Sequence, residues 1–116
     1  MSKSLKLNIA ERLAALAIFN NVENKVATSD LKVYLDDVAK FRITDLDKET
    51  VHWEDIKNEK GEITSVQWDD KSAGLMEIQI ESFTEKFLKD KLTKLEYSAA
   101  DPLVSSIMSL LEKLNN

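Results

Sequence analysis

The chain has 116 residues, of which 43% are hydrophobic and 32% are charged, and its formal net charge is −5. This composition is typical of one globular domain, and the length suffices for a hydrophobic core without covalent cross-links. Because the sequence contains no cysteine, disulfides and thiolate metal sites are excluded. The acidic balance disfavours contact with phosphate backbones and anionic membranes.

Two amphipathic helices are predicted in the first part of the chain. Asn8 and Glu11 have the spacing of a capping box, and Thr28-Ser29-Asp30 offers cap residues for a second helix. Apolar residues recur at spacings of three and four after each start. The predicted helices cover residues 8–20 and 29–42, followed by a short turn over 45–49 that Thr44 is expected to cap.

Three strands are predicted in the middle of the chain, over residues 50–57, 62–69 and 75–80. The first two flank Asn58-Glu59-Lys60-Gly61, whose glycine favours a turn. The third alternates apolar and polar side chains, which is typical of a half-buried strand. We therefore expect a small three-stranded antiparallel meander.

The chain returns to helix over residues 82–96 and 102–114. Ser82 and Glu85 have the spacing of a capping box, and Asp101-Pro102 is a favourable helix start. Because helices and strands are segregated along the chain, we expect an α+β fold in one domain, 1–116, with the meander covered by helices.

The last predicted helix has an apolar face wider than one stripe. One interpretation is burial against both the sheet and another helix. The other is that part of this face contacts a second chain in a homodimer. Leu111 and Leu114 are the residues that would make such a contact.

The most distinctive feature of the sequence is a short imperfect repeat, VHWED at 51–55 and VQWDD at 66–70. It holds both tryptophans and the only histidine of the chain. Large aromatic side chains mostly stabilise a core, but they are also enriched at protein interfaces. Trp53 and Trp68 are therefore candidates for protein binding as well as for the edge of the core.

The register of the predicted hairpin decides where these tryptophans point. A two-residue loop would place Trp53 opposite Trp68, and a four-residue loop would place it opposite Val66. A three-residue loop, which the turn chemistry favours, would place the tryptophans on opposite faces. We prefer the four-residue loop, because it best separates apolar from polar side chains.

No catalytic, cofactor-binding or metal-binding residue is predicted. His52 has one same-face acid, Glu54, and one histidine with one carboxylate is an incomplete site. The acids around Asp47 suggest a calcium loop, but Thr50 stands where that motif needs glycine and Ile56 where it needs glutamate. The protein is expected to be non-enzymatic.

Part of the sequence resembles a family of phage proteins. The segments LNIAERLAALAIF, ATSDLKVYLDDVAKF and ITDLDKETVHWED resemble small uncharacterised proteins encoded by tailed phages and prophages. The resemblance covers roughly residues 5–55, mostly at structural positions, and carries no functional residue with it. It implies an accessory protein in the cytoplasm of a bacterial host.

The expected function is binding to another protein or to a second copy of the chain, without a cofactor or a membrane. The alternative is a winged-helix nucleic-acid binder, since three helices followed by a hairpin is that fold's element order. Its third helix should carry basic or amide side chains, whereas residues 45–49 are mostly acidic. Nucleic-acid binding is therefore the weaker hypothesis.

Overall fold

The computed structural model describes residues 2–69, 74–96 and 104–116, which contain five helices and four strands. The α+β class is confirmed. The strands are β1 (Ser2–Leu7), β2 (Glu54–Lys57), β3 (Ile63–Gln67) and β4 (Met76–Glu81). The helices are α1 (Ile9–Phe19), α2 (Thr28–Lys40), α3 (Asp45–Thr50), α4 (Ser82–Lys94) and α5 (Val104–Asn115). The predicted start at Asp101-Pro102 lies outside the described residues.

Within the single predicted domain, 1–116, the contacts form two compact units. The first comprises Met1–Arg42 and Leu75–Asn116 and is called the helical unit below. The second, Ile43–Gly74, contains α3, β2 and β3 and is called the hairpin unit.

The predicted three-stranded meander is wrong. The third predicted strand, β4, pairs antiparallel with β1, with Leu5 opposite Ile78, while β2 pairs with β3 in a separate two-stranded sheet. The sequence of β1, SKSLKL, alternates polar and apolar residues, so that Leu5 and Leu7 are buried. This short strand was not predicted, although its period of two is that of a half-buried strand.

The core of the helical unit combines side chains from both strands of its sheet and from all four of its helices. The buried hydrophobic residues include Leu7, Ala15, Phe19, Val38, Phe41, Ile80, Leu88, Leu92, Ile107 and Leu110. The ring of Phe19 makes edge-to-face contacts with Tyr34 and Phe41. The Tyr34 hydroxyl donates to the Phe19 carbonyl at 2.9 Å, and burial raises the pKa of this phenol. Its hydrogen bond thereby satisfies a polar group within the core.

Two of the predicted helix caps are confirmed. Asn8 and Glu11 form a capping box at the start of α1, and Thr44 forms one with Asp47 at the start of α3. The caps predicted in Thr28-Ser29-Asp30 are wrong, because α2 begins at Thr28 and no side chain caps it. Local sequence therefore explains two of the helix starts but not that of α2.

The N-terminus of α4 is capped from another helix. The predicted capping box of Ser82 and Glu85 is wrong, since α4 begins at Ser82 and its N-cap residue, Glu81, makes no side-chain cap hydrogen bond. Instead, Asp37 of α2 accepts hydrogen bonds from the Glu81 N–H at 3.0 Å and from the Thr84 hydroxyl at 2.6 Å. A carboxylate at a helix N-terminus satisfies an unpaired donor and interacts favourably with the helix dipole.

Two adjacent charged residues of α1 are buried and fasten it to other helices. Glu11 accepts hydrogen bonds from Ser109 and Lys113 of α5, both at 2.8 Å. Arg12 donates to the carbonyls of Phe41 and Arg42, where α2 ends. Burial of a charge is tolerated when it is paired and hydrogen-bonded in this way.

Candidate protein-binding surface

The turn of the hairpin is set by Asn58 and Gly61. The Gly61 N–H donates to the Asn58 carbonyl at 3.0 Å, and the Asn58 N–H donates to the Glu62 carbonyl at 2.9 Å. Gly61 has a φ of 81°, a conformation that glycine adopts without steric cost. The connection is thus a three-residue loop with a glycine bulge, and the preferred four-residue loop is wrong.

A second irregularity then changes the register of the strands. Lys57 lies opposite Ile63, but Ile56 lies opposite Ser65, so Thr64 is an extra residue on β3. This bulge shifts the pairing by one, which reverses the side-chain faces that the loop alone would give. Beyond the bulge, Glu54 lies opposite Gln67 and Asp55 opposite Val66. This is the register that a two-residue loop would have given, with Trp53 opposite Trp68.

The consequence of this register is that the two tryptophans stack on one another. The ring centroids of Trp53 and Trp68 are 5.7 Å apart, and their planes differ by 12°. Aromatic pairs across two strands stabilise a hairpin. The short repeat in the sequence therefore corresponds to two tryptophans that face each other across the hairpin.

Neighbouring polar groups fix the orientation of the first indole. The Nε1–H of Trp53 donates to Asp55 Oδ1 at 2.9 Å. The Lys48 ammonium lies 5.5 Å from the centroid of the Trp53 ring, within the range of a cation–π contact. Both tryptophans remain half-buried, so the pair presents an oriented aromatic surface. Sequence reasoning missed Lys48 and Asp55, since their roles depend on the register and on α3.

The hairpin unit has little core of its own. Among its described residues, Val51 is the one hydrophobic side chain that is buried, whereas Leu46 is 72% exposed and Ile63 is 58% exposed. The tryptophan pair, the strand hydrogen bonds and the turn therefore contribute to the stability of this unit alongside Val51.

The hairpin unit also carries the excess negative charge of the chain. Residues 43–74 contain nine acidic residues and four lysines, whereas the rest of the chain contains twelve acidic and twelve basic residues. The formal charge of −5 is thus that of one unit, and the helical unit is balanced. This signal is present in the sequence, but it emerges only when the boundaries of the unit are known.

His52 is not in the predicted strand. Helix α3 extends to Thr50 and β2 begins at Glu54, so the predicted strand start at residue 50 is wrong. His52 lies in the intervening turn, with a φ of 54°, and is exposed. Its side chain makes no hydrogen bond or ion pair with the residues that the structure describes. Within those same residues, no group of three or more histidine or acidic side chains could hold a metal ion.

The apolar face of α5 is divided between core and surface. Ile107, Leu110 and Leu114 are buried, and α5 packs against α1, α4 and β1. Leu114 is only 1% exposed, so we withdraw it as a candidate for contact with a partner. Leu111 is half-buried against the core, which leaves it and the exposed Met108 beside an open groove. Contact of this groove with a second chain stays a prediction.

Comparisons with protein-family models, curated proteins and solved structures give no match to this chain. The resemblance to phage proteins therefore stays an expectation. In the described ranges, no helix has the length and apolar character needed to span a membrane.

Proposed function

We propose that the protein is a non-enzymatic binding protein whose hairpin unit contacts a protein partner through Trp53 and Trp68. The observation that carries this proposal is the stacked, half-buried indole pair in a unit that buries one hydrophobic side chain among its described residues. Tryptophan is among the residues that contribute most to binding at protein interfaces.

A purely structural role, in which the two tryptophans only stabilise the hairpin, would explain why their rings stack. That structural role does not explain why the indoles stay partly in solvent. It also does not explain why Lys48 and Asp55 contact Trp53 and fix its orientation. Rigid aromatic side chains lose little conformational entropy on binding, so a fixed indole is a favourable contact residue. The same pair thus stabilises the free protein and supports binding.

The charge distribution favours a protein over a nucleic acid as the partner. Helix α3 would be the recognition helix of a winged-helix protein, yet it carries Asp45, Asp47 and Glu49. A phosphate backbone would meet the excess negative charge of this unit, and binding to nucleic acid depends on cationic side chains. We therefore set the nucleic-acid alternative aside.

The resemblance to phage and prophage proteins adds a cellular context to the proposal. In that context, the protein is an accessory factor whose partner is a protein of the bacterial host cytoplasm or of the phage. A position among phage genes in the genome would support this part, and a position among unrelated housekeeping genes would contradict it.

Affinity capture from bacterial lysate tests the proposal. The bait is the full chain, compared with the double variant Trp53→Ala/Trp68→Ala and with the control Leu46→Ala, which alters an exposed apolar residue of the same unit. We expect the wild type and the control to retain one identified protein, and the double variant to retain at least about tenfold less. Equal capture by all three, or no specific capture, would contradict the proposal.

Circular dichroism and size-exclusion chromatography with light scattering complete the experiment. The double variant must keep the helical signal of the wild type, because α1, α2, α4 and α5 lie in the other unit. The light-scattering mass distinguishes a foreign partner from self-association through the α5 groove.

A further inference from the structure

We infer that the hairpin unit binds a basic protein segment, rich in arginine and lysine, at the surface around the tryptophan pair. This inference rests on the proposed function and specifies the chemistry of the partner. It combines two features of the unit that are independent of each other, its charge and its aromatic surface.

Three carboxylates of the unit that stand near Trp53 in the sequence are exposed. Glu54 and Asp55 directly follow Trp53 along the chain, and Glu49 lies at the end of α3. All three are exposed, and the unit has five more acidic than basic residues. Such a surface attracts a cationic partner over about 8–10 Å at moderate salt and repels an anionic one.

The indole surface itself suits a cation. Within the unit, the Lys48 ammonium lies 5.5 Å from the centroid of the Trp53 ring, within the range of a cation–π contact. An arginine can stack on an indole and pair with a carboxylate at the same time. Asp55, hydrogen-bonded to Trp53 Nε1, is on the same face of the hairpin as the ring and is placed for such a pair.

Two other occupants fit this surface less well. A second copy that presented its own hairpin unit would place two units of charge −5 against each other, and like charges across an interface oppose association. A purely apolar segment would cover the exposed carboxylates without compensating them, which costs desolvation energy. Charge complementarity therefore selects a basic segment of another protein.

Tryptophan fluorescence of the full chain offers a direct assay. Both tryptophans of the protein lie in the hairpin unit, so selectively excited indole emission reports this surface alone. The probes are three synthetic peptides of equal length: one rich in arginine and lysine, one with glutamate at those positions, and one neutral and apolar. We expect saturable binding of the basic peptide only, weakened at least about tenfold when salt rises from about 0.05 to about 0.5 M.

A pair of charge-reversal variants assigns the effect to the hairpin unit. Glu54→Lys should weaken binding of the basic peptide about three- to tenfold. Glu112→Lys changes the net charge equally but alters an exposed residue of α5, and it should leave the affinity within about twofold. Equal weakening by both variants would overturn the assignment to this surface.

The outcomes separate this inference from the proposed function. Binding of the neutral peptide alone, lost in the double tryptophan variant, would overturn the basic partner and leave the proposed function standing. Binding of the glutamate peptide as tight as that of the basic peptide would also overturn the inference. Absence of binding by every peptide would overturn the inference, while the capture experiment decides the proposed function separately.

Discussion

The two units of this protein differ in what holds them together and in what they present to solvent. The helical unit buries side chains from two strands and four helices and has balanced charge. The hairpin unit buries Val51 alone among its described hydrophobic residues, and it carries the excess charge and both tryptophans. If the proposed function holds, stability and recognition belong to different parts of one short chain. Substitutions should therefore separate the two properties.

The largest loss of stability is expected from the core of the helical unit. Leu110 of α5 is fully buried, and Leu110→Ala should lower the free energy of unfolding by about 3–5 kcal/mol through lost burial and an internal cavity. The matched control on the same helix is Met108→Ala, since Met108 is 60% exposed and its truncation should cost less than about 0.5 kcal/mol. Urea denaturation followed by circular dichroism measures both. Equal losses would contradict the assignment of the core.

The next largest effect is expected at the buried carboxylate of α2. Asp37→Ala removes the acceptor of the Thr84 hydroxyl and the Glu81 N–H, and leaving these donors unpaired should cost about 2–4 kcal/mol. The neighbouring Asp36 is exposed, so Asp36→Ala should change stability by less than about 0.5 kcal/mol. The same urea titrations provide the measurement, and a small effect of Asp37→Ala would refute its role as the cap of α4.

A smaller and local effect is expected from the tryptophan pair. Trp53→Ala removes the stacking on Trp68 and should destabilise the β2–β3 hairpin by about 1–2 kcal/mol. Trp53→Phe keeps an aromatic contact across the strands and should restore about half of this loss. Amide hydrogen exchange in β2 and β3 measures the local opening. Unchanged protection in Trp53→Ala would show that the pair does not support the hairpin.

The smallest effect is expected at the turn. Gly61→Ala places a side chain at a φ of 81° and should weaken the hairpin by about 1 kcal/mol. A β-carbon at Gly61 would meet no atom within 4 Å, so the cost comes from the backbone alone. Gly74→Ala is the control, because that position has equally open space and no positive φ. Amide exchange of the hairpin should rise in the first variant and stay unchanged in the second.

The sequence predicted the helices well, because their signals are local. The ranges expected for α1, α2, α4 and α5 agree with the structure in their described parts to within about two residues, the usual uncertainty of helix ends. The arrangement of the strands depended on distant pairing instead. Nothing in the alternation of β4 indicates that its partner is β1, roughly 70 to 80 residues earlier, and a six-residue segment with two lysines is a weak strand signal.

The candidate site shows the same limit at smaller scale. The three-residue loop follows from Asn58 and Gly61, whose turn chemistry the sequence displays. The extra residue at Thr64 has no such signature, yet it decides that Trp53 and Trp68 share a face. The four-residue loop best separates apolar from polar side chains only if both strands are regular, and the bulge at Thr64 breaks that condition.

A nuclear magnetic resonance titration of the labelled full chain with the captured partner tests directly whether the hairpin unit is the binding surface. We expect the largest chemical-shift changes on β2 and β3 and on the indole N–H signals of Trp53 and Trp68. The control Leu46→Ala should give the same pattern, and the double tryptophan variant should lose it. Shift changes confined to the α5 groove around Met108 and Leu111, with unchanged indole signals, would contradict that expectation.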